Sequence, residues 1–424
     1  MLKYLLVNTY LGKSLFIMAY KNLPNLRFSG FSEEWKEEPL ENIIEFLKGN
    51  DSGNYKLPIL TISAGKGWML QSDRFGNVLA GNELKNYTLL KKGQLSYNHG
   101  NSKLAKYGAV FSLKDYNEAL VPKVYHSFKI LNGDSDFIER LFESKKTDRQ
   151  LRKMITSGAR MDGLLNINKQ SFGSILINFP TLIEQQKIGD FFAKQDKLIE
   201  LQTQKVDQLK KLKRGYLQKM FPQEGETVPR LRFSGFSGEW KEESIEEIAP
   251  LETGYSFKSD KFISDGLPII RISNILNNGN IGGDFKYYKE SESLQKFVVN
   301  NGSILIAMSG ATVGKISLLK KNGFYLNQRV GYFKTNVHYD NSFVYCLLKS
   351  NNYYKNMNSI KVAGAQPNIS KSEINGFNFL LPNHEEQQKI GDFFAKLDKL
   401  IEEQSNKLNQ LKQQKKAYLQ KMFI

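Results

Sequence analysis

Residues Glu184–Phe221 read EQQKIGDFFAKQDKLIELQTQKVDQLKKLKRGYLQKMF, and Glu386–Phe423 repeat this stretch with 28 of 38 positions identical. A second repeat precedes each copy: Leu26–Ile43, LRFSGFSEEWKEEPLENI, agrees with Leu231–Ile248, LRFSGFSGEWKEESIEEI, at 14 of 18 positions. We call these repeats the frame. The stretches between them have little in common. Because self-similarity of this kind reflects architecture, the sequence predicts one frame that occurs twice and carries two different inserts.

The longer repeat predicts two long helices. Each copy lacks proline, is bounded by proline, and is rich in Lys, Gln, Leu and Glu. Apolar residues recur at spacings of four and three, which predicts a coiled-coil seam. Gln202 and Gln404 fall at matched seam positions, as do Lys213 and Lys415, and polar seam residues can fix the register. We assign to the seam the apolar residues Ile188, Phe192, Ile199, Val206, Leu209, Ile390, Phe394, Ile401, Leu408 and Leu411.

The inserts, about residues 47–166 and 252–368, alternate short β-type runs with Gly, Asn and Ser turns and contain shorter helical stretches. The predicted fold class is α+β, with two globular domains joined by two long antiparallel coiled-coil helices in a pseudo-two-fold internal repeat. Met18 is the expected natural start, which would leave residues 1–17 without a role. The expected domains are an N-terminal extension (1–24), a first globular domain (25–182), a first long helix (183–222), a second globular domain (223–382) and a second long helix (383–424).

Composition limits the kinds of partner and site. The net charge of +17 over 424 residues indicates a polyanionic partner, most simply nucleic acid, although a basic surface without that role is the alternative. The single cysteine, Cys346, excludes a disulfide framework and a Cys-rich zinc site and is typical of a reducing cytoplasm. The four histidines are scattered, so no metal site is expected. No apolar run reaches ~18 residues, so no membrane span is expected.

Several polar loops of the inserts carry side chains suited to DNA. The glycine-punctuated stretch Ser309–Lys315 offers backbone amides, a hydroxyl and an amine to phosphates, and Asn327–Arg329 groups side chains that can form two hydrogen bonds with one base edge. Each residue taken singly could also belong to a solvated turn. The candidates of the first insert are Ser63, Lys66, Asn98, His99, Lys103, Arg160 and Lys169. The candidates of the second insert are Ser309, Thr312, Lys315, Asn327, Gln328, Arg329, Gln366, Asn368 and Lys371.

The stretch SGATVGK also invites comparison with a nucleotide-binding loop. That motif requires four residues between its glycines and Ser or Thr after the lysine, whereas here three residues intervene and Ile316 follows. We also find no base-methylation tetrapeptide, no glycine-rich cofactor fingerprint after a strand, no helicase motifs and no convincing nuclease cluster. We therefore expect no catalytic residues, and a recognition subunit rather than an enzyme.

Several motifs together carry a family resemblance. They are the RFSGF entry with its following EW, SGATVGKISL, LNQRVGYF, AGAQPNISKSEI and LPNHEEQQKIGDFFAKLDKLI. With these motifs the chain resembles the specificity subunit of type I restriction–modification systems. In the first insert, SAGKGWMLQSDRFG and LLKKGQLSYNHGNS resemble another subtype of the family's recognition domain. The resemblance runs from about residue 25 to the end, and the doubled arrangement makes it specific.

The resemblance implies two target recognition domains, each reading one half of a split asymmetric DNA site, with the helices setting the spacing. It implies double-stranded DNA, two modification (methyltransferase) subunits and restriction (translocase/nuclease) subunits as partners, in the cytoplasm. S-adenosylmethionine for adenine methylation, and ATP and Mg²⁺ for translocation and cleavage, would be bound by those partners and not by this chain.

Two other hypotheses remain open from the residues alone. An autonomous nuclease would cut DNA by itself when given Mg²⁺. An architectural coiled-coil protein would use its duplicated domains to bind proteins and would show only salt-sensitive background binding to DNA, without sequence preference.

Overall fold

The computed structural model describes residues 22–76, 81–100, 102–155, 164–276, 278–362 and 368–424. The chain divides into two compact units: Met1–Gln202 with Lys407–Ile424, and Thr203–Asn406. Each long helix therefore contributes to both units. Residues 1–21 of the predicted N-terminal extension lie outside the described range.

The first unit combines ten short strands with helices and leads into the first long helix. Its strands are β1 (Lys36–Pro39), β2 (Ile44–Phe46), β3 (Leu60–Ser63), β4 (Gly67–Leu70), β5 (Thr88–Lys91), β6 (Leu95–Asn98), β7 (Ala109–Ser112), β8 (Glu118–Val121), β9 (His126–Ile130) and β10 (Leu176–Phe179). Its helices are α1 (Gln71–Phe75), α2 (Ser135–Glu143), α3 (Asp148–Met154), α4 (Lys169–Gly173) and the long α5 (Leu182–Lys219), which continues into the second unit.

Within the described part of the first unit, β2, β9, β6 and β7 form a four-stranded antiparallel sheet in that order. Two-stranded antiparallel ribbons pair β3 with β4, β5 with β8 and β1 with β10. The core beneath the sheet is aromatic, with Tyr97 stacked on Phe172 at a centroid distance of 4.4 Å. The Asp134 carboxylate accepts a hydrogen bond from the backbone N–H of Phe137 at 2.8 Å, which starts α2 with an N-cap.

The described part of the second unit also has ten strands, which form fewer and larger sheets. Its strands are β11 (Lys241–Ser244), β12 (Leu251–Thr253), β13 (Leu267–Ile270), β14 (Lys286–Tyr288), β15 (Val298–Val299), β16 (Ile304–Ala307), β17 (Ile316–Leu318), β18 (Phe324–Leu326), β19 (Val330–Phe333) and β20 (Asn378–Leu381). Its helices are α6 (Ile245–Ile248), α7 (Asn341–Leu347), α8 (Asn351–Val362), α9 (Lys371–Asn375) and the long α10 (His384–Met422), whose end belongs to the first unit.

Two four-stranded sheets form the described core of the second unit, in the orders β12–β19–β16–β17 and β14–β13–β18–β15. The first is antiparallel throughout, whereas the second contains a parallel pair, β13 with β18. A separate ribbon pairs β11 with β20. The predicted α+β fold class is confirmed, and the described part of this unit contains two four-stranded sheets.

Each copy of the shorter repeat covers the C-terminal end of a long helix. In the first unit the backbone N–H of Leu26 donates to the carbonyl of Lys421 at 2.9 Å, and in the second Leu231 donates to Lys219 at 2.8 Å. These bonds satisfy carbonyls that a helix end leaves unpaired. The strand that follows in each repeat, β1 or β11, then pairs with the strand that precedes a long helix, β10 or β20. The frame is thus closed by the same contacts in both units.

The tryptophan of each shorter repeat packs against the end of a long helix. Trp35 is 1% exposed and contacts the ring of Phe423 edge-on at 6.3 Å. Trp240 contacts Phe221 in the second unit edge-on at 6.0 Å. The aromatic residue that ends each longer repeat is therefore buried against the tryptophan of a shorter repeat, which explains why both stretches recur together.

The long helices run antiparallel within each unit. In the first unit Phe191, near the start of α5, packs edge-on against Tyr418, near the end of α10, at 5.1 Å. In the second unit Tyr216, near the end of α5, packs against Phe393, near the start of α10, at 5.0 Å. This confirms the predicted antiparallel pairing.

Ion pairs occupy the polar positions of the seam. Lys213 Nζ lies 2.5 Å from the Asp398 carboxylate, and Lys415 Nζ lies 2.5 Å from both Asp196 and Glu143. In each unit the seam lysine of one long helix thus meets an aspartate of the other, which favours a single register. The ten apolar seam residues assigned from the sequence are all buried or half-buried.

Candidate nucleic-acid interface

In the second unit, three predicted segments meet where the strands of the sheet β12–β19–β16–β17 end, at the C-terminal end of β16. We call this end of the strands the loop edge of the sheet. Ser309–Lys315 connects β16 to β17, and Asn327–Arg329 connects β18 to β19. Because β16 pairs antiparallel with both β17 and β19, the two loops leave the sheet at the same edge. Asn368, whose side chain is exposed, forms a β-bridge with Ser309 and adds the third segment.

The turn Asn327–Arg329 is held by its backbone. Asn327 N donates to Ile270 O and Gln328 N donates to Tyr255 O, both at 3.0 Å. The Asn327 side chain accepts from Arg329 N at 3.3 Å, so it shapes the turn. The side chains of Gln328 and Arg329 are exposed. A fixed backbone with free polar side chains suits base-edge contacts, and of the three predicted residues Gln328 and Arg329 meet that condition best.

The loop Ser309–Lys315 is less open than its composition suggests. The Ser309 side chain is 6% exposed, and its Oγ has no hydrogen-bond partner among the described residues. Thr312 and Lys315 are half-buried. Gly310 has a φ of +76°, a conformation that favours glycine. The Ser309 hydroxyl is therefore buried, and the structure does not support the predicted DNA contact by Ser309.

Lys371 begins α9 with an exposed side chain, and its Nζ lies 4.0 Å from the Glu252 carboxylate. That distance leaves the ammonium group accessible to a phosphate. The predicted contacts Gln366 and Arg160 lie outside the described residues.

Sequence reasoning missed polar side chains at the same edge. The loop after β12 carries Tyr255, which is 38% exposed, and Lys258, which is exposed. Arg271, directly after β13, is half-buried and donates from Nη2 to Asp284 O at 3.1 Å. The local signal was the stretch TGYSFKSD, in which glycine, aromatic and basic residues follow a strand. The position of Tyr255 beside Gln328 depends on strand pairing, which a local stretch of sequence does not reveal.

In the first unit, the turn between β3 and β4 presents two predicted residues. Ser63 pairs with Gly67 across this ribbon, and Lys66 lies exposed in the turn with its backbone N–H donating to Ser63 O at 3.2 Å. Gly67 has a φ of +73°, so the tight turn depends on glycine. Ser63 and Lys66 therefore stay adjacent, at the tip of a ribbon.

The loop after β6 approaches this turn. Asn98 ends β6 and donates from Nδ2 to Ile62 O at 3.3 Å. A Cβ at Gly65 would lie 2.9 Å from a methyl carbon of Leu104, so the turn and the loop are in close contact. Lys103 in this loop is exposed. The structure therefore brings Ser63, Lys66, Asn98 and Lys103 to one place, as an interface requires.

His99 is part of the fold instead. Its side chain is 5% exposed, with Nδ1 2.6 Å from Leu165 O and Nε2 2.8 Å from Val124 O. The ring also stacks on His126 at a centroid distance of 5.0 Å. Both ring nitrogens face backbone carbonyls, so the prediction of a DNA contact by His99 is wrong.

Lys169 is also engaged internally. Its Nζ lies 3.3 Å from Leu47 O and 5.4 Å from the ring centroid of Phe46. Burial lowers the pKa of its ammonium group, and Lys48 lowers that pKa further. The side chain is half-buried, so the predicted DNA contact by Lys169 is not supported.

No group of three His, Cys, Asp or Glu side chains suited to a metal ion occurs among the described residues. The Cys346 thiol is buried, and burial raises its pKa to about 12, which makes it unreactive. Within the described ranges, none of the helices is both long enough and apolar enough to cross a membrane.

Residues 32–211 and 237–413 each match the protein family described as the type I restriction modification DNA specificity domain. This chain belongs to that family. Each match contains one insert, one strand pair of the frame and most of one long helix. The chain is thus a type I specificity subunit with two specificity domains, and DNA recognition is its role.

Known proteins resemble this specificity subunit over most of its length. The type I restriction enzyme MjaVIII specificity subunit of Methanocaldococcus jannaschii is 26% identical over 291 residues, which cover 66% of this chain and 68% of that protein. A crystal structure of a type I restriction–modification S subunit from M. genitalium aligns with a TM-score of 0.62 at 17% identity, covering 95% of this chain and 99% of that one. A chain from a structural study of complex assembly and conformational transition in a type I R-M system aligns with a TM-score of 0.52 at 15% identity, covering 92% of this chain and 97% of that one. These two structures support the fold.

Proposed function

We propose that this specificity subunit directs a type I complex to a split, asymmetric DNA site and that each unit reads one half. The observation that carries the proposal is one frame repeated around two different sets of loops. Equal frames offer equal docking positions to like partners, whereas different loops read different base sequences. The two long helices set the distance between the half-sites.

Base reading in the second half-site is assigned to the exposed turn between β18 and β19. Arg329 has the geometry for two hydrogen bonds to guanine, and Gln328 for two to adenine, and each such pair contributes ~1–3 kcal/mol of discrimination. Lys371 and, in the first unit, Lys66 neutralise phosphates, which adds affinity without sequence information. Their exposed side chains support these roles.

Catalysis is assigned to the partners. Two modification subunits would dock on the two frames, bind S-adenosylmethionine and methylate adenine, and restriction subunits would use ATP and Mg²⁺. The strong similarity of the two frames, with 28 of 38 and 14 of 18 positions identical, supports two equivalent docking positions. The target adenine must leave the base stack to be methylated, so opening of the duplex would be shared between this chain and a modification subunit.

A genome-wide map of methyladenine in the host, with the gene intact and deleted, tests the proposal. One split motif should lose its methylation in the deletion strain. A chimaera in which residues 252–368 also replace residues 47–166 should then methylate a site made of two inverted copies of one half-site. An unchanged motif in this chimaera would contradict the assignment of one half-site to each insert.

The purified chain and its complex also distinguish the nuclease and architectural hypotheses. Cleavage of plasmid DNA by the purified chain with Mg²⁺ alone would indicate a nuclease. Binding of DNA by the complex without any preference for the motif would indicate an architectural protein.

A further inference from the structure

The segment after α2 in the first unit carries a group of exposed cations that the proposed base-reading loops do not include. Between residues 144 and 154 the only opposing charge is Asp148. The side chains of these cations are exposed, and none forms an ion pair within 4.0 Å with any other residue that the structure describes. They are Lys145, Lys146, Arg149, Arg152 and Lys153, and we call them the α3 basic surface.

The packing of α3 directs these cations outward. Thr147 and Leu151 are buried, and Met154 packs against the same core. Because these residues are spaced by four and three, α3 has a single inward face. The remaining positions, which include all the cations of the helix, lie on the outward face.

The backbone of Lys145 adds an independent observation. Its φ is +67°, in the left-handed region, and no other non-glycine residue in the described ranges has a positive φ. It directly follows Ser144, the C-cap of α2, at a position where helices usually have glycine. A lysine here is conformationally unfavourable, and such an outlier points to a function of the side chain.

The α3 basic surface adjoins the loop that follows β6. The Tyr97 hydroxyl donates to Tyr107 O at 2.7 Å. The Tyr97 ring also lies at a centroid distance of 6.5 Å from the Phe142 ring, and the Phe142 carbonyl accepts a hydrogen bond from Lys145 N at 3.2 Å, so the segment that begins with Lys145 starts near this ring. Lys103 and Lys106 are exposed on the same loop. The cations of α3 therefore extend a positive surface that begins at the predicted contact residue Lys103.

The matched helix of the second unit is different. Lys349, before α8, is half-buried and donates to the Tyr345 hydroxyl at 2.5 Å. Lys355 on α8 forms an ion pair with Glu224 at 2.5 Å. Both lysines are thus engaged within their own unit, and they provide matched controls.

We propose that the α3 basic surface binds phosphates of duplex DNA beside the half-site that the first unit reads. The inference rests on the proposed function and extends the contacted DNA beyond the loops assigned to it. A duplex presents about one negative charge per 1.7 Å of axis, which suits a row of cations on one helix face. Continuity with the loop after β6 favours the same duplex over a separate acidic partner. These contacts add affinity and position without reading bases.

The test uses the complex of this chain with its co-encoded modification subunits and a duplex that carries the motif mapped in the host. The variant combines Lys145→Gln, Lys146→Gln, Arg149→Gln, Arg152→Gln and Lys153→Gln. Each lost phosphate contact should reduce the slope of log affinity against log salt by ~0.9. We expect the slope to fall by roughly 3 or more, and the affinity at 0.05 M salt to fall roughly 100-fold or more. The methylated motif should stay the same.

Single substitutions provide the matched comparison. Arg149→Gln should reduce the slope by about 0.9, whereas Lys355→Gln, which removes a lysine already paired with Glu224, should change it by less than about 0.3. Lys145→Gly should also reduce the slope while relieving the backbone, so a folding defect does not account for the loss.

An unchanged slope in the five-fold variant would overturn the inference. If the slope were unchanged but the modification subunits dissociated in size-exclusion chromatography, the surface would be a protein-docking site and the inference would again be wrong. A wild-type complex without preference for any motif would overturn the proposed function instead, because the phosphate-binding surface is judged on the slope alone.

Discussion

Arg27 donates two hydrogen bonds of 2.7 Å each to the carboxylate oxygens of Glu184, whose side chain is completely buried. In the second unit Arg232 makes the same pair of 2.7 Å bonds with the buried Glu386. The arginine belongs to the shorter repeat and the glutamate to the first turn of a long helix. One bidentate ion pair per unit therefore joins the two repeats, and the negative charge at a helix N-terminus is itself favourable.

The first prediction concerns Arg27→Met. This substitution leaves the Glu184 carboxylate buried without its partner, so we expect it to destabilise the first unit by about 3–5 kcal/mol. The double variant Arg27→Met with Glu184→Leu should be clearly less destabilised, because no buried charge is left alone. Urea unfolding followed by tryptophan fluorescence measures both, since Trp35 lies in this unit.

An exposed ion pair of the same unit serves as the control. Lys129 and Glu45 lie 3.0 Å apart on neighbouring strands, with side chains 41% and 56% exposed. Lys129→Met should cost less than about 1 kcal/mol. If Arg27→Met cost no more than this control, the buried pair would not stabilise the frame.

The second prediction concerns a glycine that lets a long helix approach its neighbour. A Cβ at Gly391 would lie 2.3 Å from an Asp340 carboxylate oxygen and 2.9 Å from Phe343 N. Asp340 caps α7, so Gly391→Ala would push apart α10 and that cap. We expect a loss of about 2–3 kcal/mol. At the matched Gly189 the nearest contact would be 3.0 Å, so Gly189→Ala should cost less.

Gly215 provides the opposite case. A Cβ there meets no atom within 4 Å, and the second long helix has Ala417 at the matched position. Gly215→Ala should therefore stabilise the chain by about 0.5–1 kcal/mol through helix propensity. Thermal unfolding should give the lowest midpoint for Gly391→Ala, an intermediate midpoint for Gly189→Ala and the highest for Gly215→Ala. Equal midpoints would show that the close approach of α10 to the α7 cap at Gly391 is unimportant for stability.

The repeats explain how far the fold follows from the sequence. The four-three spacing predicts the long helices within a few residues of their observed ends, and matched lysines such as Lys213 and Lys415 predict a shared register. The pairing of β1 with β10 could not be predicted, because the two strands lie far apart in sequence and neither has a strong pattern. The contact of Leu26 with Lys421, at the far end of the chain, is hidden for the same reason.

The candidate interface shows a different limit. Local composition correctly indicated loops, but it did not distinguish exposed side chains from side chains that fill the fold. His99 stands between Asn98 and Gly100, as a surface loop residue would, yet tertiary contacts provide two backbone carbonyls for its ring. Tyr255 was missed because only the sheet brings it next to Gln328. Burial depends on distant partners, which a local pattern does not contain.

The third prediction concerns pH and His126. Burial lowers the pKa of its imidazole from 6.5 to about 4, and the nearby His99 and Lys169 lower it as well, although Nε2 donates to Ile167 O at 2.8 Å. The unfolded chain therefore binds a proton between pH 6.5 and 4 that the folded unit does not bind. Stability contributed by this group is complete above pH 6.5 and is lost as the pH falls toward 4. We expect a loss of about 2 kcal/mol between pH 7.5 and 5.

His126→Gln tests this assignment. Glutamine can still donate to Ile167 O but does not titrate, so the variant should lose about 2 kcal/mol less than the wild type over the same pH range. His338→Gln, at an exposed histidine, is measured alongside as a control for the substitution itself. Urea unfolding at both pH values supplies the comparison, and parallel curves for wild type and His126→Gln would refute the assignment.

The last prediction concerns base reading by Arg329. The turn that carries it is fixed by backbone bonds to Ile270 and Tyr255, so truncation of the side chain should leave the loop in place. Arg329→Ala should weaken binding to the motif by about 1–3 kcal/mol and relax one position in a single half-site. Methylation of a library with randomised half-sites, read by sequencing, shows which position changes.

Lys320 is the control for charge alone, because it lies in the turn after β17, at the opposite edge of the sheet, and pairs with Glu402. Lys320→Ala should alter no position of the motif. The assignment fails if Arg329→Ala weakens all sequences equally, because a uniform loss is what a phosphate contact produces. It also fails if positions in both half-sites change, because the turn belongs to one unit and can contact only the half-site that this unit reads.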